Sequence, residues 1–408
     1  MGYHKFLPCP DERMGALLAV SNINNAAILE LGPMGTANYS GLTAASLGLP
    51  PNRLHFAAHT TDIDLSLGEY PQLAEALRDI ESRYRPELIF VFSSALLSVI
   101  GADIDNIMRD AAGKIATPVV YYSPRGLDRH FMYGIEGIIS RLVPFVQPAP
   151  AKKARSYNIL GLLPDDFHFQ SDSHEIKRML GRYFDAECSS TFPYDTNLLE
   201  IQKLGQAELN IVIRRECLSF AKTLARETGT PYVYMRPYGI GQNRRWLDDI
   251  SRVTGWAFDE ELARADFDHV SEIIDRWLAE RSRAHGPGRE KEALVAGLYD
   301  TAKGVSLFLQ GELGYRVTAW CKASFERDVQ ALREPEWETL ASRPIPVMLS
   351  DAEACSLNPY GGHIISHPSL NRRDLTGLRP YVGINGCLSL LQAVDDCIQK
   401  SLYCSSPV

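Results

Sequence analysis

Long apolar runs are missing from this sequence. No stretch of its 408 residues approaches the ~20 apolar residues that a membrane-spanning helix needs, and no basic segment followed by an apolar one opens the chain. A cytoplasmic protein with no membrane partner is the expectation. An excess of positive charge is missing too: the net charge is -8 and the pI near 5.7, which argues against a nucleic-acid groove. Cysteine is sparse. The eight are Cys9, Cys188, Cys217, Cys321, Cys355, Cys387, Cys397 and Cys404, and none forms a C-x-x-C pair, so a disulfide framework is not expected. Signature loops are absent as well. There is no G-x-G-x-x-G after a strand, no G-x-x-x-x-G-K-[ST], no H-E-x-x-H and no G-x-S-x-G, which disfavours nucleotide binding of the dehydrogenase or P-loop kind.

What is present is an ordinary soluble composition, 45% hydrophobic and 23% charged. The length calls for two or three domains. Short apolar runs without alternation occur at Ala26–Leu31, Leu54–Ala58, Leu88–Phe92 and Pro118–Tyr122. Such runs suit strands buried on both faces of a parallel sheet. Helical spacing separates them, as in Tyr70–Tyr84, where Leu73, Leu77, Ile80 and Tyr84 recur. The stretch from Pro148 to Ala154 reads as a linker.

A second unit alternates strands at Tyr157–Leu163, Leu209–Ile213 and Tyr232–Met235 with helices at Ser173–Tyr183, Glu216–Thr228 and Gln242–Val253, then the long segment Asp259–Arg283. After the breaker His285–Gly288, a third unit runs through Ala293–Leu298, Tyr299–Leu313, Tyr315–Ala319, Pro346–Leu349, Gly362–Ser366 and a closing helix, Cys387–Leu402. The expected architecture is α/β: three Rossmann-like domains with parallel sheets around a central cleft. The expected divisions are 1–153, 154–288 and 289–408.

Chemistry in such folds gathers at the carboxyl ends of strands, which singles out four places. Leu31–Thr36 carries Gly32 and Gly35 around a proline, either a backbone cradle for a cluster, an anion or another chain, or a plain turn. Ser93–Ala95 is followed by Ile100–Asp103, with Asp103 placed as a helix cap. Arg236–Arg245 combines glycines with Arg236, Arg244 and Arg245, which suits an anionic ligand or a solvated helix start. Asn358–His363 offers His363, a ligand or a packed residue. Asp165–Asp166 and Asp395–Asp396 read as solvated charge.

At these positions the chain resembles the nitrogenase component 1 family, whose members include the molybdenum-iron protein subunits, cofactor-assembly relatives and dark-operative protochlorophyllide reductase subunits. Pro8-Cys9 matches the opening proline-cysteine pair. Leu31–Thr36 matches a histidine-glycine-proline-x-glycine-cysteine loop, and Ser94–Asp103 matches a threonine-cysteine stretch ending in glycine-aspartate. Further matches follow in order at Ala207–Val212, Gly229–Tyr232, Pro237–Ile240, Gly297–Gly314 and Pro380–Gly386. Each motif is weak alone; their order is not.

The resemblance implies a subunit that pairs with a sister subunit, with a 4Fe-4S cluster at the interface bound by cysteines of both. It implies an ATP-dependent iron protein as electron donor, and a cofactor or substrate in the cleft. This chain departs from the pattern where iron needs thiolate. Cys9 is kept as the metal-site residue, but the second cysteine position is Thr36, the third is Ala95, and the nearby glutamate position is Ser98. Asp11 or Glu12 offers a replacement carboxylate. The family's cofactor cysteine falls near Arg214 and its histidine at Val382, so the chain looks like a β-type partner. Three expectations stand: a subunit of a nitrogenase-like reductase or maturation complex, a cluster-free scaffold, or a homodimer holding a small anion through Arg236, Arg244 and Arg245.

Overall fold

A computed structural model of the chain describes residues 10–46, 54–61, 63–64, 70–94, 96–97, 104–126, 129–285, 291–365 and 379–405. It is an α/β structure built on three parallel sheets. In the first, β1 (Ala26–Gly32), β2 (His55–His59), β3 (Leu88–Ser93) and β4 (Val119–Tyr122) lie in the order β2-β1-β3-β4. The central strands β1 and β3 are buried along their whole length, while β2 and β4 alternate or expose residues at the edges. Unbroken apolar sequence therefore marks the middle of the sheet, as helices cover both of its faces. One of them, Pro71–Tyr84, starts on a proline, buries Leu73, Leu77 and Ile80, and stops at a left-handed Arg85.

The second sheet holds β5 (Lys153–Leu162), β6 (Glu187–Pro193), β7 (Ala207–Val212) and β8 (Tyr232–Tyr234), in the order β6-β5-β7-β8. The third holds β9 (Glu292–Ala296), β10 (Arg316–Cys321), β11 (Gln330–Ala331), β12 (Val347–Ser350) and β13 (His363–Ile364), in the order β11-β10-β9-β12-β13. Every named strand pair is parallel. The edge strand β6 is not foreseen by the sequence, because Cys188-Ser189-Ser190-Thr191 lacks an apolar run. Of the expected strand Gly362–Ser366 only His363–Ile364 pairs, and Ser366 lies outside the described residues.

Two further helices, Glu12–Val20 and Phe131–Ser140, pack so closely that a Cβ on Gly134 would stand 1.7 Å from the Glu12 carbonyl oxygen. A Cβ on Gly15 would stand 1.8 Å from that of Phe131. Two of the core clusters each reach across two sheets. One cluster joins Phe90 and Ile135 to Leu160 and Phe220, and another joins Trp246 and Tyr238 to Val295, Phe308 and Val382. The divisions at 153/154 and 288/289 stand as a proposal; the first cuts next to Lys153, where β5 begins, and the second falls in 286–290, outside the described residues.

Candidate functional site

The strand β1 ends at Gly32, where the chain turns into the helix Met34–Ser46. Gly32 is needed for closeness: a Cβ there would lie 2.7 Å from the Ser94 Cβ. Gly35 faces open space. Thr36 stands beside a buried charge network rather than a thiolate set. Arg13 pairs with Glu30, and both are nearly fully buried. The second carboxylate oxygen of Glu30 lies 2.7 Å from His55 Nε2, and Ser40 Oγ donates to Glu30 at 2.9 Å. The Arg13 guanidinium also reaches the Thr36 carbonyl at 3.4 Å. The recess between Arg13, Glu30, Gly32, Thr36 and Ser94 leaves no volume for even one water.

The two carboxylates expected as replacements already have partners. Asp11 caps the helix Glu12–Val20 by accepting from Met14 N at 2.8 Å. Glu12, buried, accepts from Tyr122 Oη at 2.7 Å and Arg125 N at 3.0 Å. Glu12 is therefore committed through both of its oxygens, whereas the bond of half-buried Asp11 engages one. Cys9, Ala95, Ser98 and Asp103 lie outside the described residues.

In the middle unit, Asp165 and Asp166 follow the end of β5 and Arg214 follows β7. The expectation that the two aspartates are solvated is wrong: Asp165 is 1% and Asp166 7% exposed. Arg214 grips Asp165 with two parallel bonds of 2.6 and 2.7 Å and has Glu216 at 3.2 Å. Such a fork fixes the guanidinium plane. Burial works against its charge, but Asp165 and Glu216 raise its pKa overall. Arg236 pairs with Asp166 and, at 2.5 Å, with Asp172. Burial raises the pKa of Asp172, with Arg236 opposing it. The sequence concealed these partners because each pair spans tens of residues. Their position just past strand ends is the signal that could have found them.

The three units meet at a cavity of about 20 Å³. Phe131 and Met132 line it from the first unit, Arg215 and Glu216 from the second, and Leu298 and Lys322 from the third. That is room for one water, not for a cofactor. Beside it Asp300 accepts from Tyr234 Oη at 2.6 Å and from Arg215 N at 2.7 Å, and burial pushes its pKa up to about 6.

The arginines grouped by sequence part company in space. Arg236 and Arg245 line a recess of about 270 Å³ between the helices Gly239–Thr254 and Tyr299–Gly311. Arg244 lines a separate open groove with Phe258, Phe267, Glu260 and Glu261, and pairs with Asp268 at 3.3 Å. At the helix start after Gly239 the Glu312 carboxylate takes the N–H groups of Ile240 and Gly241 at 2.9 Å each, while Gly241, Arg244 and Arg245 are exposed. His363 lines neither recess. Its Nε2 lies 2.6 Å from Tyr381 Oη, and the His168 ring packs against the same tyrosine with centroids 3.8 Å apart.

These residues do not fit an iron–sulfur cluster on their own. Among the described residues no three His, Cys, Asp or Glu side chains are grouped to hold a metal ion, and Thr36 offers a neutral hydroxyl where iron asks for thiolate.

Comparison with known proteins agrees with the fold and the order of motifs. Residues 12–355 match the family described as nitrogenase component 1 type oxidoreductase. The nitrogenase iron-molybdenum cofactor biosynthesis protein NifE of Nostoc sp. is 28% identical over 59% of this chain, and the match spans 50% of that relative. One subunit of the light-independent protochlorophyllide reductase of Chloroherpeton thalassium is 28% identical over 87% of this chain and 71% of its own length. The chain thus spans about half of the first relative and somewhat over two thirds of the second. A solved structure titled nitrogenase Cp1 at pH 6.5 superposes with a TM-score of 0.77 at 16% identity, covering 100% of this chain and 96% of that one. That likeness is one of fold.

Proposed function

We propose that this chain, which belongs to the nitrogenase component 1 type oxidoreductase family, is the β-type subunit of a nitrogenase-like reductase or cofactor-maturation complex. In this reading it pairs with a sister subunit, and the pair receives electrons from an ATP-dependent iron protein. The chain supplies protein walls rather than a ligand set. The observation that carries this is the Arg13–Glu30–His55–Ser40 network beside Thr36. A buried cation compensated by a carboxylate lies against the backbone of the residue where the family's pattern calls for a second thiolate, and no chemistry of iron is routed through it. Any interfacial 4Fe-4S cluster takes its thiolates from the sister subunit, with Cys9 the one this chain adds.

A second reading has its own observation. The junction cavity of about 20 Å³ and the Arg214–Asp165 fork support a cluster-free scaffold whose cleft takes only something small. Anaerobic purification with the sister subunit, followed by iron and sulfide analysis, separates the two. Cluster absorbance that is weakened in Cys9→Ala supports the reductase subunit. A stable colourless pair supports the scaffold. A chain that carries a full cluster by itself overturns both.

A further inference from the structure

The recess between the helices Gly239–Thr254 and Tyr299–Gly311 is many times roomier than the junction cavity, about 270 Å³ against about 20 Å³. That approaches the lower bound of small-molecule sites, roughly 300 Å³. Its wall is unevenly charged. Arg236, Arg245 and Lys303 line it, against one carboxylate, Asp300.

The cations differ in how far they are committed. Arg236 is held by Asp166 and Asp172, yet it is more than nine-tenths buried and its Nε has no hydrogen-bond partner. An unpaired buried donor of this kind costs stability unless something meets it. Lys303 pairs with Asp328 at 2.7 Å on its exposed side. Arg245 is the least engaged: its side chain is 76% exposed and its nearest carboxylate, Asp249, is 3.8 Å away. An exposed pair of that length is worth little. Asp300 is turned toward Tyr234 Oη and Arg215 N, which occupy its oxygens.

The apolar lining is equally uneven. Leu307 stays 48% exposed on the rim, and Met235 adds a thioether wall. Gln242 donates to the Gly304 carbonyl at 2.9 Å and pins the two helices together across the recess. The dipole of the Gly239–Thr254 helix is not the attraction, since Glu312 already caps it.

We propose that this recess binds a small organic acid, its carboxylate held by Arg245 and Lys303 and its apolar body laid on Leu307 and Met235. Isothermal titration of the full-length chain with sodium benzoate tests it, with benzyl alcohol and inorganic phosphate as companion titrants. Benzoate binds saturably, and both companions bind more weakly by roughly tenfold or more, because each lacks either the charge or the apolar body. Arg245→Ala and Leu307→Asp each weaken benzoate by roughly tenfold, while Arg226→Ala on a distant helix leaves it unchanged. Arg245 and Leu307 are exposed, and an unchanged urea midpoint shows that the variants fold. Absence of saturable benzoate binding overturns the proposal. So does binding that survives both variants, or phosphate bound as tightly as benzoate. The readout needs neither sister subunit nor iron, so its failure is separable from failure of the subunit role.

Discussion

The carboxylate of Asp172 accepts the backbone N–H of Tyr381 at 2.8 Å, across 209 residues of chain. The same carboxylate meets Val382 N at 3.3 Å and Arg236 at 2.5 Å. One turn further along, Glu175 accepts from Asn385 N at 3.0 Å and from its side-chain amide at 2.9 Å. Of these two acids on the helix Phe169–Phe184, Asp172 thus holds the two residues that lead into the helix Gly383–Ser405, and Glu175 satisfies one of its first-turn donors. Glu175 does for a distant helix what a cap residue does for its own.

Removing Asp172 strands a buried guanidinium and two backbone donors at once. Breaking a buried pair from one side costs about 3–5 kcal/mol, and the remaining Asp166 places the expected loss for Asp172→Ala near the lower end. Urea denaturation of the purified chain measures it. A loss indistinguishable from zero would show that the second and third units do not depend on this contact.

Asp300 gives a pH signature with a definite sign. Its pKa rises from 3.8 to about 6, chiefly because burial disfavours the charge, with Glu216 adding to it. Below the ordinary value the group is protonated in folded and unfolded chains alike, and its contribution is complete. As pH rises toward and through about 6, the unfolded chain releases its proton first, so stability is lost. The shift amounts to about 3 kcal/mol. Wild type should therefore lose that much relative to Asp300→Asn between about pH 3 and 7, read as the difference of two denaturation series. Parallel series would refute the assignment.

The sheets were legible and the charge network was not, for one physical reason. A strand such as Leu88–Ser93 is buried on both faces, so its apolar run announces it without knowledge of any neighbour. Asp166 carries no such mark. Its burial depends on Arg236, which the chain brings near only after three strands and three α-helices have packed. The polar edge strand at Cys188–Thr191 was missed likewise, since its pairing comes from β5 and not from its own side chains. The helix Glu12–Val20 was missed because it is buried all round and shows no amphipathic stripe. Family likeness located Arg214 and Thr36 but gave no account of what surrounds them, because their partners come from other strands and helices.

The crossing of Glu12–Val20 and Phe131–Ser140 is set by two glycines, each lying against the other helix's backbone. Backbone cannot swing aside as a flexible side chain does. Gly134→Ala should cost about 3 kcal/mol, the upper end of the overpacking range. Gly181→Ala is the natural control: its Cβ would meet nothing nearer than 3.9 Å, on an exposed helical face. It should stabilise by about 0.5–1 kcal/mol. Equal effects of the two in urea would mean that helix propensity, not the crossing, decides.

If Thr36 were merely a lost ligand, restoring the thiol would restore iron binding. The buried network argues otherwise. Glu30 is tied to Arg13, Ser40 and His55 and is 4% exposed, and the recess between these residues and the Thr36 backbone has no room for a water. Thr36→Cys, treated anaerobically with ferrous iron and sulfide, should carry no more iron than wild type. Glu30→Gln should lose about 3–5 kcal/mol in urea, because Arg13 is left as an uncompensated buried charge. The two variants make one argument. A brown Thr36→Cys protein would show that the corner has kept room for metal, and a Glu30→Gln protein as stable as wild type would show that its charges are incidental to it.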